Sequence, residues 1–297
     1  MTLKVSIVVL NWNGGEQDCV EAIESALNQD YTNKEILFVD NGSSDGSYEA
    51  VQAKYNNVQF IQTGSNKGCP EGRNIGAKHA SGEIIAFLEN DGVWRDNDVV
   101  TEAVNFLSNN INVAALYSAV EGFQTGSLDP PVDTRNSGHE CIQFSSTFRG
   151  GASFIRRSLF NDLGGFPGDY LRQGEEVFLS HLLIDKGYDI VYWPVRSLRH
   201  KGSDYTGKSD TVMHFNYLNE LKTITRLYPP VYYPAYIFGK ISINMLRFMR
   251  KGKFTLYIKL TIEGLLEIRN RKKYKHITSS GLKKFNSIKY NASKCFD

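Results

Sequence analysis

The chain alternates short apolar runs with longer segments whose apolar residues share one helical face. "KVSIVVL" (4–10), "KEILFVD" (34–40), "NVQFIQT" (57–63) and "EIIAFLE" (83–89) are rich in β-branched residues and bounded by turn residues, the pattern of buried strands. Between them the spacing predicts helices over 16–28, where Val20, Ile23 and Leu27 share a face, over 45–55, opened by Asp45, and over 70–81, opened by Pro70. Strand and helix in alternation predict an α/β fold, a doubly wound, mostly parallel sheet with helices on both faces. A second region, about 112–205, mixes strands at 150–156 and 188–194 with a helix over 175–186. The remainder, from about 211, reads as helices interrupted by prolines at 229, 230 and 234.

Composition narrows the class. With 297 residues, 41% of them apolar, the chain can bury the core of one large or two modest domains. The apolar stretch that ends at Leu10 is too short for a secretory signal, and "LYPPVYYPAYIFG" (227–239), with three prolines in 13 residues, is too short for a membrane span. The expected location is cytoplasmic. Cys19, Cys69, Cys141 and Cys295 form neither a CxxC pair nor a Cys/His metal spacing, so four reduced thiols are expected. The net charge of +2 conceals an imbalance: from Lys222 onward, 17 Lys and Arg face Glu263, Glu267 and Asp297, which leaves −12 for residues 1–221.

In sheets of the expected kind, ligands bind beyond the carboxyl ends of the strands. Asn11 and Asn13, Asp40 and Asn41, "GSNKG" (64–68), and Glu89 and Asp91 all fall there and would line one rim. In "LENDG" (88–92), two carboxylates one residue apart suit Mg²⁺ or Mn²⁺ bridging a diphosphate, although a turn with solvated acids fits the local sequence equally. Asp40 can accept from the ring N–H of a base such as uracil, whereas Ser43, Ser44 and Asp45 are accounted for by a helix cap. Gly64, Gly68, Gly72 and Gly76 match neither a P-loop nor GxGxxG, and Gly72 and Gly76 suit close helix packing; Arg73 beside them could grip nucleotide oxygens. Glu175 and Glu176 open a helix, where the dipole favours acids; one of them remains free to act as a base. His200, followed by Lys201, Gly202 and Ser203, could ligate a metal or contact phosphate.

Together "VSIVVLNWNG", "FVDNGSSDGS", "NKGCPEGRNIGAKHASGEIIAFLEND", "GGFPGDYLRQGEEVFLSHLLIDKG" and "RHKGSD" resemble, in order, the motifs of the family 2 glycosyltransferases, inverting enzymes of the GT-A fold. The resemblance runs from about residue 4 to 205. It implies a catalytic domain over 1–210, with a nucleotide half to about 110 and an acceptor half beyond, followed by a basic helical region over 211–297. It further implies that Asp40 reads the base near Asn11 and Arg73, and that Glu89-Asn90-Asp91 stands at the DxD position. Asp91 and His200 would then hold Mn²⁺ or Mg²⁺, Glu89 and Asn90 would face the donor, and Glu176 would be the catalytic base. Two positions depart from the pattern: Glu89 replaces the first Asp of DxD, and Phe178 stands where many relatives carry an acid. No tryptophan follows an Arg, so the QxxRW signature of processive synthases is missing and one sugar per encounter is expected.

The implied function is transfer of a sugar from a UDP- or dTDP-linked donor to a glycan or lipid-linked acceptor in bacterial surface polysaccharide synthesis. The basic tail fits either an anionic membrane surface, peripheral on the inner face of the plasma membrane, or a helical subdomain packed on the core or in a homo-oligomer. No motif supports nucleic acid binding. A sugar nucleotidyltransferase would want an Arg-bearing glycine loop after the first strand, which "NWNGG" lacks. A catalytically silent nucleotide-sugar-binding protein stays open because of Glu89.

Overall fold

The computed structural model describes residues 3–129, 141–204, 210–290, 295 and 296; the join expected near 210 and the Ser203 side chain lie outside the described residues. The first half forms as its periodicity predicts. Strands β1 (Val5–Asn11), β2 (Lys34–Asp40), β3 (Gln59–Gln62) and β4 (Ile84–Glu89) alternate with helices α1 (Gly15–Leu27), α2 (Ser47–Gln52) and α3 (Cys69–His79). The four strands pair in parallel in the order β3-β2-β1-β4. Their carboxyl ends therefore share one rim. Helix α2 is shorter than the expected 45–55 because Asp45 lies before it, accepting bonds from the Ser47 N–H and hydroxyl.

The sheet continues with β5 (Gly92–Trp94), helix α4 (Val99–Asn109), β6 (Val113–Gly122), β7 (Gln143–Phe144), β8 (Ala152–Arg156), helices α5 (Arg157–Asp162) and α6 (Glu175–Asp185), and β9 (Asp189–His200). The order runs β4-β8-β6-β9-β5, with β7 also on β9. Strand β8 is antiparallel to its neighbours, as are β5 and β7 to β9, so six of the nine strands run one way. Alternation along β1 shows why both faces are covered. Val5, Ile7 and Val9 belong to one core with Ala22 and Ile23 of α1 and Ala103 of α4. Val8 and Leu10 belong to another, with Ala77 of α3 and Leu179 and Leu183 of α6.

Strand β9 outruns the expected strand at 188–194. Pro194 cannot donate to a ladder, and the pairing with β6 jumps there from Ser118↔Trp193 to Ala119↔Ser197. Arg196, on the extruded segment, is anchored to Asp98 at 2.7 and 2.5 Å. Beyond this bulge the strand resumes and carries His200 opposite Gly92 of β5.

Helices α7 (Asp210–Leu227), α8 (Tyr233–Arg250), α9 (Phe254–Leu266) and α10 (Ser279–Tyr290) follow. They do not stand apart from the catalytic region. Tyr170 and Phe178 share a core with Leu221, Phe248 and Leu260, while Phe285 of α10 returns to the sheet side and stacks on His181 at 3.6 Å. The chain then reaches β7: Phe296 packs on Phe106 and Phe144, and Cys295 forms a disulfide with Cys141. The expectation of four reduced thiols is thus corrected; Cys19 and Cys69 are free, but the other two, 154 residues apart, are joined. Spacing could not show a partnership that the returning C-terminus creates. Among the described residues no helix is long and apolar enough to cross a membrane.

Candidate active site

The rim is braced first by Asn11 and Asp40, neither of them exposed by more than 2%. Asn11 Nδ2 donates to Asp40 Oδ1 at 3.1 Å and to the hydroxyls of Ser43 and Ser47 at 3.1 and 2.9 Å. The Ser43 N–H donates to Asp40 Oδ2 at 3.1 Å. Both oxygens of Asp40 thus accept internal bonds, and in this structure the residue ties β1 to the loop after β2. Asn41 does the same for the glycine-rich loop, donating to Gly68 O at 3.2 Å and accepting from the Lys67 N–H at 3.0 Å. Trp12, half exposed, stands beside them.

The second group is a three-residue cluster. Because β5 pairs with β9 in the register Gly92↔His200, the imidazole lies against the acids that precede Gly92. His200 Nε2 is 3.0 Å from Glu89 Oε2 and 3.1 Å from Asp91 Oδ1. Ligand atoms of the three residues lie within 4.8 Å of one another. Two carboxylates and an imidazole are a donor set that suits a divalent cation such as Mn²⁺. Burial opposes the imidazolium, yet its bonds to Asp91 and Glu89 raise the His200 pKa to about 10. Burial likewise opposes the Glu89 carboxylate, but His200 and Arg73 hold its pKa at about 2. Asn90 points elsewhere, with its amide over Gly14.

Arg73 is the third element. The sequence expects it to meet nucleotide oxygens; in the structure it is 2% exposed and its guanidinium lies among acids of the protein. Nη2 meets Glu89 Oε1 at 2.5 Å, and Nη1 meets Glu175 Oε1 at 3.2 Å and Glu176 Oε1 at 3.9 Å. One planar fork therefore links the cation cluster to both acids of α6. The two glutamates have separate environments. Glu175 is buried with Oε2 unbonded, and burial together with the Glu176 charge raises its pKa. Glu176 keeps 21% of its side chain exposed and accepts the Gly150 N–H at 3.2 Å. Burial raises its pKa as well, while Arg73 pulls the other way. The two acids therefore differ in access: Glu175 is enclosed, whereas Glu176 is the one that reaches the open side of the site.

Gly150 and Gly151, read in the sequence as the start of a strand, form the floor beneath these groups instead, and β8 begins at Ala152. A methyl at Gly150 would come within 2.6 Å of Arg73 Nη1 and 2.7 Å of Glu176 Oε1. At Gly151 it would come within 2.6 Å of Glu89 Cγ. A Gly-Gly pair ahead of a strand was the available signal. The roles of Arg73 and Glu175 as buried partners had none. A cavity of about 380 Å³ lies off this centre, between α6, α7 and α8, and its lining includes Gly174, His181, Met213, Arg247 and Lys251.

The mixed, largely parallel sheet, with acids and a histidine gathered beyond its strand ends, has the GT-A fold. Among solved structures the fold is similar to that of the mannosyltransferase PcManGT from Pyrobaculum calidifontis, in complex with GDP-Man and Mn²⁺, at a TM-score of 0.61 and 16% identity over 90% of this chain and 87% of that one. The chain belongs to glycosyl transferase family 2, whose pattern it matches over residues 6–164, more than half its length. Its similarity to the Escherichia coli UDP-Glc:alpha-D-GlcNAc-diphosphoundecaprenol beta-1,3-glucosyltransferase WfgD is 33% identity over 36% of this chain and 43% of the relative, less than half of that protein. With the O-antigen chain rhamnosyltransferase WbaN of Salmonella anatum it shares 23% identity over 71% of this chain and 70% of the relative.

Proposed function

We propose that the chain is an inverting, divalent-cation-dependent transferase that moves one sugar from a UDP- or dTDP-linked donor to a glycan or lipid-linked glycan in bacterial polysaccharide synthesis. The observation that carries this reading is the single guanidinium of Arg73 spanning Glu89 of the cation cluster and Glu176 of α6. A base at Glu176 and a cation beside Glu89 would then share one centre. WfgD, named for a UDP-glucose donor and a diphosphoundecaprenol acceptor, supports the donor and acceptor classes. Glu89, Asp91 and His200 would hold the cation. Bound there, it would supply charge neutralisation for the departing diphosphate.

Glu176 takes the proton of the acceptor hydroxyl as that oxygen attacks the anomeric carbon from the face opposite the leaving group, and configuration inverts. The Gly150 N–H keeps its carboxylate aimed, and the charge of Arg73 favours the ionised form against burial. Asn11, Asp40 and Asn41 hold the loops that frame the nucleotide.

Mass spectrometry of products from a panel of UDP- and dTDP-sugars, with Mn²⁺ or EDTA, tests the reading. Glu176→Gln is expected to lower kcat by about 10²–10⁴-fold with UDP affinity retained, and Asp91→Asn to remove the Mn²⁺ dependence of UDP binding. Near wild-type transfer by folded Glu176→Gln protein would refute the assigned base. UDP binding by wild type without turnover of any donor would instead identify a binding protein.

A further inference from the structure

We propose that the outer face of α8 and α9 is a docking surface for the anionic headgroup layer of a phospholipid bilayer. Nine of the seventeen large hydrophobic side chains exposed among the described residues lie on α8 and α9. On α8, Phe238, Met245 and Met249 recur at helical spacing; on α9, Phe254, Ile258 and Ile262 do, and Phe238 is 73% and Ile262 55% exposed. Such a concentration on one pair of helices exceeds the scattered apolar exposure of an ordinary surface.

The inner faces of these helices are occupied. Phe248 of α8 and Tyr257 of α9 both pack on Tyr217 of α7, with ring centres 5.4 and 5.8 Å apart. A side chain at Gly264 would stand 2.7 Å from Leu221 of the same helix. Both helices therefore bury one side against α7 and leave the other, apolar side to solvent.

Charge decides the occupant. Residues 233–273 hold ten Lys and Arg against Glu263 and Glu267; with Glu267 bound to Arg226, Lys240 bound to Glu220 and Arg271 buried, eight cations and Glu263 are left. A second copy related by twofold symmetry would set this face against itself, cation facing cation with almost no acid to answer. Nucleic acid would leave the apolar side chains unburied. An anionic bilayer satisfies both features: the apolar side chains enter the boundary of headgroups and acyl chains, and the exposed Arg247, Arg250 and Lys259 reach lipid phosphates. The cavity lined by Arg247 and Lys251 is also lined by Gly174, the residue before Glu175 and Glu176, so the docked surface adjoins the catalytic helix.

Flotation of the full chain with phosphatidylcholine vesicles, and with vesicles that also contain phosphatidylglycerol, tests the proposal at low and high salt. Binding to the anionic vesicles alone, released by salt, is expected. The triple variant Phe238→Ser, Met249→Ser, Ile262→Ser should abolish it. A second triple variant, Arg247→Gln, Arg250→Gln, Lys259→Gln, should weaken it by about fivefold for each cation removed. All six positions are exposed, so thermal melts should match wild type. Equal binding to neutral and anionic vesicles, binding to neither, or full retention by the apolar variant would overturn the proposal. So would a dimer in sedimentation that the apolar variant dissociates while vesicle binding is absent. Vesicle binding is read without sugar transfer, so its failure leaves the proposed reaction standing.

Discussion

Replacing Arg73 by Gln removes the cation that Glu89, Glu175 and Glu176 have in common. Its Nη2 lies 2.5 Å from Glu89 and its Nη1 3.2 Å from Glu175, a side chain only 4% exposed. Loss of one partner of a buried pair costs about 3–5 kcal/mol where the remaining charge has no compensation; here His200 still faces Glu89 and the raised pKa of Glu175 lets it take up a proton, so the low end, about 3 kcal/mol, is expected. Over 297 residues that corresponds to a fall in Tm of about 5 °C. Kinetics should change in a direction the geometry specifies. Arg73 pulls the Glu176 pKa down against burial, so in the variant that pKa rises further. The base must be ionised to act, so the acid limb of the kcat profile should move to higher pH. Arg73→Lys, which keeps the charge but loses the planar fork, should restore part of the profile. The Kd of UDP should hardly move, because Arg73 is 2% exposed. Differential scanning calorimetry, a pH series of kcat and UDP titration read these three quantities. A variant with wild-type melting and pH profile but weakened UDP binding would show that Arg73 grips the donor, and the positioning argument would be wrong.

Gly151→Ala puts a methyl within 2.6 Å of Glu89 Cγ; displacing that carboxylate should lower kcat by up to about 100-fold in a protein that still melts cooperatively. Urea melts of Cys141→Ser and Cys295→Ser proteins should show the loss of about 2–4 kcal/mol, and reduced wild type should match the variants, since the disulfide closes a loop of 154 residues. For Glu35, burial raises the pKa, but bonds from Lys4, Ser6 and Ser81 bring it from the ordinary 4.5 to about 2. Its stabilisation is therefore present above the unfolded value and lost as pH falls toward 2. Glu35→Gln should cost about 2–3 kcal/mol at neutral pH and nothing near the acid end of a urea-melt series.

The parallel half of the fold was legible because local rules govern it. β-branched runs between turn residues become strands, and one-faced apolar spacing becomes helices, whatever lies elsewhere. The rule that ligands gather at strand ends also placed Asn11, Asp40, Glu89 and Asp91 on one rim. Legibility stopped at strand β9, where Pro194 looked like an end and proved to be a bulge. It stopped again at "RGG", where backbone room rather than side-chain chemistry is what Gly150 and Gly151 contribute.

What the sequence determined by itself was the class of fold, the rim and the acids on it, since these follow from periodicity and from the chemistry of residues a few positions apart. Only the tertiary structure decided which partners each charge has. Arg73 is separated from Glu175 by 102 residues and His200 from Glu89 by 111; whether such groups meet substrate or one another depends on strand register and helix placement. A guanidinium with oxygens in reach binds whichever the fold brings closest, and burial makes that choice costly to reverse. The same holds for Cys141 and Cys295, which the returning C-terminus brings together.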